Sequence, residues 1–384
     1  MRDLPYDELP LPIIRLFVCP KNKKIKRLGG KLKLNLQQLG FTAFFNEQLQ
    51  TFETNNKYVG RVMLEHKHSY RVMTEEGELL ATVSGNFAYH AFSRKDYPAV
   101  GDFVLVEKMP GEERAIIHEL FERKSKFTRK MAGLEVDEQI VAANVDFVFL
   151  VMSLNADFNV RRLERYLVAA WDSGATPVIV LTKADLCEDV ESYVQEVEAV
   201  AFGVDTIVVS ALTGQGIDQL QTYLPEGKTA ALLGSSGAGK STLTNALLNS
   251  EQMKVSHIRE DDAKGRHTTT HRELVVLATG ACLIDTPGMR ELQLWDHGDS
   301  LATSFADIEA LAERCRFRDC THKNEPQCAV QQAIKQGEFE QARLTSYFKL
   351  QRELAYIEKK ASNDAQLAEK RKWKQVSKQL KKLK

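Results

Sequence analysis

The sequence predicts three structural units in series: a small antiparallel β-barrel, a doubly wound α/β domain, and a helical C-terminal part carrying a cysteine–histidine cluster. Three observations predict it. Residues 58–126 break into short alternating segments separated by turn signals, YVGRVMLEH, SYRVMT, ELLATVSG and VGDFVLVEK, the last ending at Pro110-Gly111. Residues 146–288 instead carry unbroken apolar runs, DFVFLVMSL, PVIVLT, TIVVSA, TAALLGS and ACLIDT, with amphipathic stretches between them. Beyond these, three cysteines and a histidine fall within one short segment, Cys315 to Cys328.

The chain of 384 residues has 52 Lys/Arg and 52 Asp/Glu, so net charge by itself indicates no partner. The charge is unevenly placed. Lys359 to Lys384 holds ten Lys/Arg against two Asp/Glu, and KNKKIKR at Lys21–Arg27 is a second basic cluster. Such segments are solvated or face phosphates. No apolar run approaches the ~20 residues of a membrane helix. Leu11–Cys19 is short, contains Arg15 and lacks a small-residue cleavage site, so it makes a poor signal peptide. Six cysteines with three of them clustered beside a histidine suit metal binding in a reducing compartment. A cytoplasmic location is expected.

Residues 1–35 are basic and proline-punctuated without periodicity, and are expected to be an extension with little order of its own. The barrel is expected over 36–126, because alternation with β-branched residues marks half-buried strands, and an OB-fold suits this size. Phe87, Tyr89, His90, Phe92, Arg94 and Lys95 lie together there. Either they stack on and pair with RNA, or their rings belong to the core. The α/β domain is expected over 127–290. Its unbroken apolar runs suit parallel strands covered on both faces, and Val160–Trp171, Glu191–Phe202 and Ile217–Leu224 are the intervening helices. A helical unit is expected over 291–360 and a basic helical tail over 361–384.

The chemistry sits at the ends of the apolar runs. Gly234-Ser235-Ser236-Gly237-Ala238-Gly239-Lys240-Ser241 follows a strand and opens a helix, Ser241–Leu248. Its glycines let backbone N–H groups turn toward phosphates, and the helix N-terminus adds a positive dipole end. Lys240 is expected on the β- and γ-phosphates, Ser241 on Mg²⁺, and Thr242 beside it. Thr182-Lys183-Ala184-Asp185 ends another apolar run. The Asp185 carboxylate can accept both the N1–H and the exocyclic amine of guanine, whereas adenine offers no such donor pair. Lys183 can lay its aliphatic stem along the base. Thr182 stands where asparagine is more usual. Ser210-Ala211 ends the next strand as the backup loop, where a backbone N–H meets the guanine carbonyl. Asp285-Thr286-Pro287-Gly288 ends ACLI, with Asp285 expected on Mg²⁺ through water and Gly288 N–H on the γ-phosphate. Gly265 to Thr270 (GRHTTT) is expected to be a switch, with Thr269 closing over Mg²⁺.

The order is unusual: base reading precedes phosphate binding, as in a circularly permuted GTP site. Met289 occupies the position at which Ras-type proteins place the water-orienting glutamine. Either a partner completes the site, or His267 positions the water. Cys315, Cys320, His322 and Cys328 are four soft or borderline ligands, matching one tetrahedral Zn²⁺ with no open position, hence structural.

With the permuted order, GRHTTTHRE, DTPGMRE, PAVGDFV and CxxxxCxHxxxxxC together, the chain resembles the RsgA/YjeQ family over roughly 36–360. The resemblance implies a circularly permuted P-loop GTPase acting late in assembly of the small (30S) ribosomal subunit. It would be flanked by an N-terminal OB-fold and a C-terminal zinc-binding α-helical domain that grip the subunit. It also implies binding of 16S-type rRNA and slow GTP hydrolysis to GDP made faster on the subunit; a monomer with no membrane partner is expected. The Gly288 peptide runs toward the cysteine cluster, so GTP is expected to favour subunit binding and GDP release. Competing expectations are a nucleotide-stabilised RNA-binding scaffold with negligible hydrolysis, and an ATP-using P-loop enzyme, which Asp185 disfavours.

Overall fold

The computed structural model describes residues 26–28, 31–66, 69–130, 138–248, 273–285, 298–323, 325–338, 340–356 and 359. Gly265, Arg266, His267, Thr268, Thr269 and Thr270, with Thr286, Gly288 and Met289, lie outside them. Within the expected extension, β1 (Lys26–Leu28) and β2 (Lys31–Lys33) form an antiparallel pair.

Five strands close a barrel: β3 (Lys57–His66), β4 (Ser69–Thr74), β5 (Gly77–Val83), β6 (Phe103–Lys108) and β7 (Arg114–Leu120). Their order is β3-β4-β5-β7-β6, and β6 returns to pair with β3. Numbered from β3 this is the closed circuit 1-2-3-5-4-1, the Greek-key barrel of an OB-fold. Alternate residues face inward, so Val62, Val72, Leu79, Ala81, Val104, Val106, Ala115 and Ile117 fill the interior. Outside the barrel, α1 (Ala43–Leu49) seats Phe45 against Phe41, Phe103 and Phe121 in edge, tilted and stacked contacts. A second helix, α2 (Gly85–His90), interrupts the barrel between β5 and β6 and buries none of its residues. An antiparallel hairpin, β8 (Lys126–Lys130) and β9 (Glu138–Ala143), then leads out of the barrel. The sequence pattern did not announce it.

The α/β domain runs β10 (Phe147–Ser153), α3 (Val160–Asp172), β11 (Thr176–Thr182), α4 (Val190–Glu198), β12 (Thr206–Val208), α5 (Ile217–Gln221), β13 (Thr229–Leu233), α6 (Lys240–Leu248), β14 (Glu273–Val276) and β15 (Cys282–Asp285). Strand order is β12-β11-β10-β13-β15-β14, parallel except for β14. Both faces are covered. Val148, Leu150 and Met152 belong to one core, whereas Phe149 and Val151 belong to the other. This is why β10 is apolar from Phe147 through Met152 rather than at alternate positions. Chain entry at β10 leaves the phosphate-loop strand β13 in the sheet centre, fourth in sequence among these strands.

The two sheets are continuous, since β14 pairs with β3 at Glu273↔Leu64. Arg61 of β3 is fully buried at this junction. Its guanidinium donates to Gly101 O (3.1 Å), Leu39 O (2.6 Å), Asn144 O (3.1 Å) and Thr229 Oγ1 (2.8 Å). Burial pushes its pKa down. The C-terminal unit comprises α7 (Gly298–Ser304), α8 (Ala306–Ala312), α9 (Ala329–Gln336) and a helix over 341–356. It docks on α3. Arg343 donates to Glu164 (3.0 Å) and makes a fork to Asp307 (2.6 and 2.8 Å), while Ser346 donates to the other Glu164 oxygen (2.6 Å). Among the described residues, no helix is long and apolar enough to cross a membrane.

Candidate nucleotide and metal sites

β10, β11, β13 and β15 all end on one edge of the parallel sheet, the edge at which open α/β sheets collect ligands. The register sets Ser153 beside Thr182, and Leu232 beside Asp285. The backbone of Asp285 therefore lies next to the strand that leads into Gly234.

The loop after β13 needs its glycines for space. A Cβ on Gly234 would stand 2.2 Å from Val151 O, and Gly239 has φ +91 with Thr182 beside it. Lys240 opens α6, and its ammonium donates to Gly234 O (2.7 Å) and Ser235 O (2.6 Å). Those carbonyls line the loop itself, so the cation already stands in the concavity that phosphate oxygens would enter.

Thr182 ties the two expected halves of the site together. It is buried, and its hydroxyl donates to Ala238 O at 2.6 Å, inside the phosphate loop. A threonine at this position thus bridges strand end and loop with one short bond. Lys183 adopts the left-handed conformation (φ 62), turning the chain sharply off β11. Ala184–Leu186 is a short 3₁₀ turn, which presents Asp185. Ser210 is buried and donates to Asp185 Oδ1 at 2.6 Å, and also accepts from Thr213 N–H (3.2 Å). The hydroxyl orients the carboxylate and leaves Oδ2 open to a base. Ala211 follows directly in that loop.

Sequence reasoning missed one contact. Asp157, in the turn between β10 and α3, accepts a hydrogen bond from the Ser235 hydroxyl and a fork from Arg162 (2.9 and 3.1 Å). The stretch NADFN carries no phosphate-loop signature, so only the register of β10 against β13 could have placed it there.

Cys315, Cys320, His322 and Cys328 converge, with all four ligand atoms within 4.8 Å of one another. Cys315 Sγ lies 3.8 Å from Cys328 Sγ, and His322 Nδ1 lies 3.6 and 3.5 Å from those two sulfurs. A tetrahedral ion with bonds of about 2.3 Å to sulfur and 2.05 Å to nitrogen requires separations of about 3.8 and 3.6 Å. Cys315, Cys328 and His322 fit such an ion, and Cys320 completes the set within the 4.8 Å span. His322 takes a positive φ (56) to reach inward, and Gln331 holds its carbonyl (2.6 Å). Nearby, Glu325 accepts from Thr321 and from Lys323 N–H, and the Thr321 hydroxyl leads the effects that hold its carboxyl down at about 2.

On the barrel, Tyr89 and Phe92 are 82% and 87% exposed, so they do not belong to the core. Phe87 is half-buried against Tyr97. His90, Arg94 and Lys95 are exposed around the two rings.

The family model described as RsgA GTPase matches residues 120–295. A model for ABC transporters matches residues 217–384, a span that includes the phosphate loop but not Thr182–Asp185 or Ser210. The "Small ribosomal subunit biogenesis GTPase RsgA 1" of Oceanobacillus iheyensis is 48% identical over 84% of this chain and 93% of its own length. "RsgA 2" of Lactiplantibacillus plantarum is 50% identical over 85% of this chain and 91% of its own. The crystal structure of YjeQ from Thermotoga maritima superposes with TM-score 0.58 at 30% identity, covering 78% of this chain and 99% of that one. YloQ, described as a circularly permuted GTPase, gives 0.56 at 26% identity, covering 80% and 97%.

Proposed function

The chain belongs to the RsgA GTPase family, and from that premise we propose that it hydrolyses GTP while assisting late maturation of the small ribosomal subunit. The observation that carries this is the Thr182–Ala238 bond, which sets the Asp185 turn against the phosphate loop on one sheet edge. Asp185, oriented by Ser210, reads guanine, and Ala211 and Lys183 complete the base pocket. Gly234, Ser235, Ser236, Gly237, Ala238 and Gly239 offer backbone N–H groups to the phosphates. Lys240 leaves its two loop carbonyls for the β- and γ-oxygens. Ser241 and Thr242 lie at the start of α6, placed to hold Mg²⁺ with GTP, an ion that would supply charge neutralisation at the phosphoryl group. Ser241, Asp285 through water, and Thr269 are the residues to hold that ion. Gly288 senses the γ-phosphate, and His267 orients the attacking water in place of a glutamine.

The Cys315, Cys320, His322 and Cys328 cage holds one structural Zn²⁺: four protein ligands leave no open position for chemistry. The division into a barrel over 36–126, a GTPase domain over 127–290 and a zinc-binding unit over 291–360 follows from this reading, with basic ends at 1–35 and 361–384. The protein acts as a cytoplasmic monomer. It grips 16S-type rRNA through the exposed Tyr89 and Phe92 rings with His90, Arg94 and Lys95, because stacking plus cationic pairing suits unpaired bases. GTP favours the subunit-bound state and GDP favours release, so the subunit must tighten GTP binding in the same proportion. A scaffold without turnover is disfavoured by relatives named as GTPases.

The test is GTPase rate with and without purified small subunits. Stimulation that is lost in His267→Ala supports the whole proposal. An unstimulated rate, with equal affinity of the GTP and GDP forms for subunits, overturns it.

A further inference from the structure

We propose that Asp157 is a positioning residue for the phosphate loop: held by Arg162, its carboxylate anchors the Ser235 hydroxyl and fixes the Gly234–Ser235 peptide for an incoming phosphate. This rests on the reading of Gly234–Ser241 as a GTP-binding loop.

In the structure, the Lys240 ammonium satisfies both Gly234 O and Ser235 O. A bound triphosphate draws that ammonium away. Two carbonyl oxygens then face an anion without the cation that separated them, and the peptide is driven to turn or retreat. A side-chain anchor on Ser235 opposes this. The described anchor is Asp157, and it is built rather than incidental. Asn155 Oδ1 accepts both the Asp157 N–H (3.0 Å) and the Ser153 hydroxyl (2.8 Å). Ser153 in turn ends β10, in register with Thr182 of β11. Asn159 caps α3 by accepting from Arg162 N–H (3.0 Å). Acceptor, counter-ion and helix start are thus set on one turn.

A bare carboxylate here would repel phosphate. Arg162 removes that objection, because the two-pronged pair presents the loop with an acceptor but little net charge. The Arg162 bonds, and then the Ser235 bond, hold the Asp157 carboxyl below the usual carboxylate range, so it stays ionised at neutral pH. The arrangement predicts that Asp157 and Ser235 act as one unit.

The experiment is a four-way comparison in the full-length, metal-loaded chain: wild type, Asp157→Ala, Ser235→Ala and the double variant. Affinities for GTP and GDP are read with a fluorescent guanine nucleotide, alongside melting without nucleotide. Each single variant is expected to raise Kd about tenfold, the scale of one hydrogen bond to a charged group. The double variant should also lose about tenfold rather than a hundredfold, and Asp157→Asn should fall between wild type and Asp157→Ala. Unchanged Kd with a lowered melting temperature assigns Asp157 a structural role only and overturns the proposal, as does an additive hundredfold loss. Should Asp157→Ala not fold, Ser235→Ala keeps the Arg162 pair intact and decides alone: unchanged Kd overturns. Wild type failing to bind GTP would instead sink the functional reading beneath it.

Discussion

Replacing Asp185 by asparagine is the sharpest probe of how this chain chooses its nucleotide. The side chain keeps its shape, and its surroundings are known: Ser210 donates to Oδ1 at 2.6 Å, leaving Oδ2 to face the base. As a carboxylate, Asp185 offers guanine two charge-assisted hydrogen bonds, each contributing about 1.5–3 kcal/mol. The amide has two ways to sit. If its oxygen stays with Ser210, the NH₂ group confronts the donors of guanine and both bonds are lost. If it flips, the Ser210 hydroxyl can accept from the NH₂, and guanine meets a neutral oxygen in place of a charged one, so both bonds survive in weakened form. The flipped form sets the minimum loss, about 3 kcal/mol, or roughly two orders of magnitude in Kd. Adenine, which never used the carboxylate, should be indifferent. The assay is competition of GTP and ATP against a labelled guanine nucleotide, with melting of the free protein as control. The site is open to solvent, so melting should stay within about 2 °C of wild type. GTP affinity within threefold of wild type, in a folded variant, would falsify the assignment of Asp185 as the guanine reader.

Two further outcomes test the frame around the site. Arg61→Met removes the buried donor from Leu39 O, Asn144 O and Thr229 Oγ1, each bonded at 3.1 Å or less, and leaves Gly101 O only the Asn144 amide at 3.2 Å. Relief of guanidinium desolvation offsets part of that, so a net loss of about 3–5 kcal/mol is expected, seen as melting lowered by roughly 10 °C; a shift under about 2 °C refutes the junction's importance. Stripping the metal with a chelator, or Cys320→Ser, should raise hydrogen exchange across 313–336 while β10, β11 and β13 keep their protection. Equal exchange before and after stripping would remove the structural role of the cage.

Much of this architecture was written plainly in the chain. Strands buried on both faces leave unbroken apolar runs, so β10, β11, β13 and β15 were readable, as were the helices that alternate with them. The cysteine cluster was readable because ligand chemistry and spacing survive any fold. What escaped reading depends on distant partners. Arg61 lies in an alternating strand, where a charged residue reads as outward-facing; only the approach of Thr229, 168 positions away, lets it be buried. The hairpin β8–β9 escaped because KFTRK and EQIVAA are short and polar in part. Asp157 sits in an ordinary-looking loop, and its role depends on β10 lying beside β13. Whether Tyr89 and Phe92 were core or surface could not be decided from their clustering, since α2 is too short to show a buried face. His267, Thr269 and Gly288 lie outside the described residues.

The permuted order has a mechanical consequence. The strand carrying the phosphate loop, β13, is five residues long and is gripped at both ends. At its start, Thr229 receives the Arg61 guanidinium from the barrel. Just past its end, Ser235 meets Asp157 at the head of α3. That same helix carries Glu164, which is buried against Arg343 of the C-terminal unit, and Arg165, which forks to Glu353. The barrel therefore touches the start of β13, and the unit with the cysteine cage is joined through α3 to the loop just past its end. Coupling between sites is a difference in free energy shared between two states, and it is reciprocal. An RNA surface that prefers one setting of either flanking unit must bias the loop, and nucleotide must bias that surface by an equal amount.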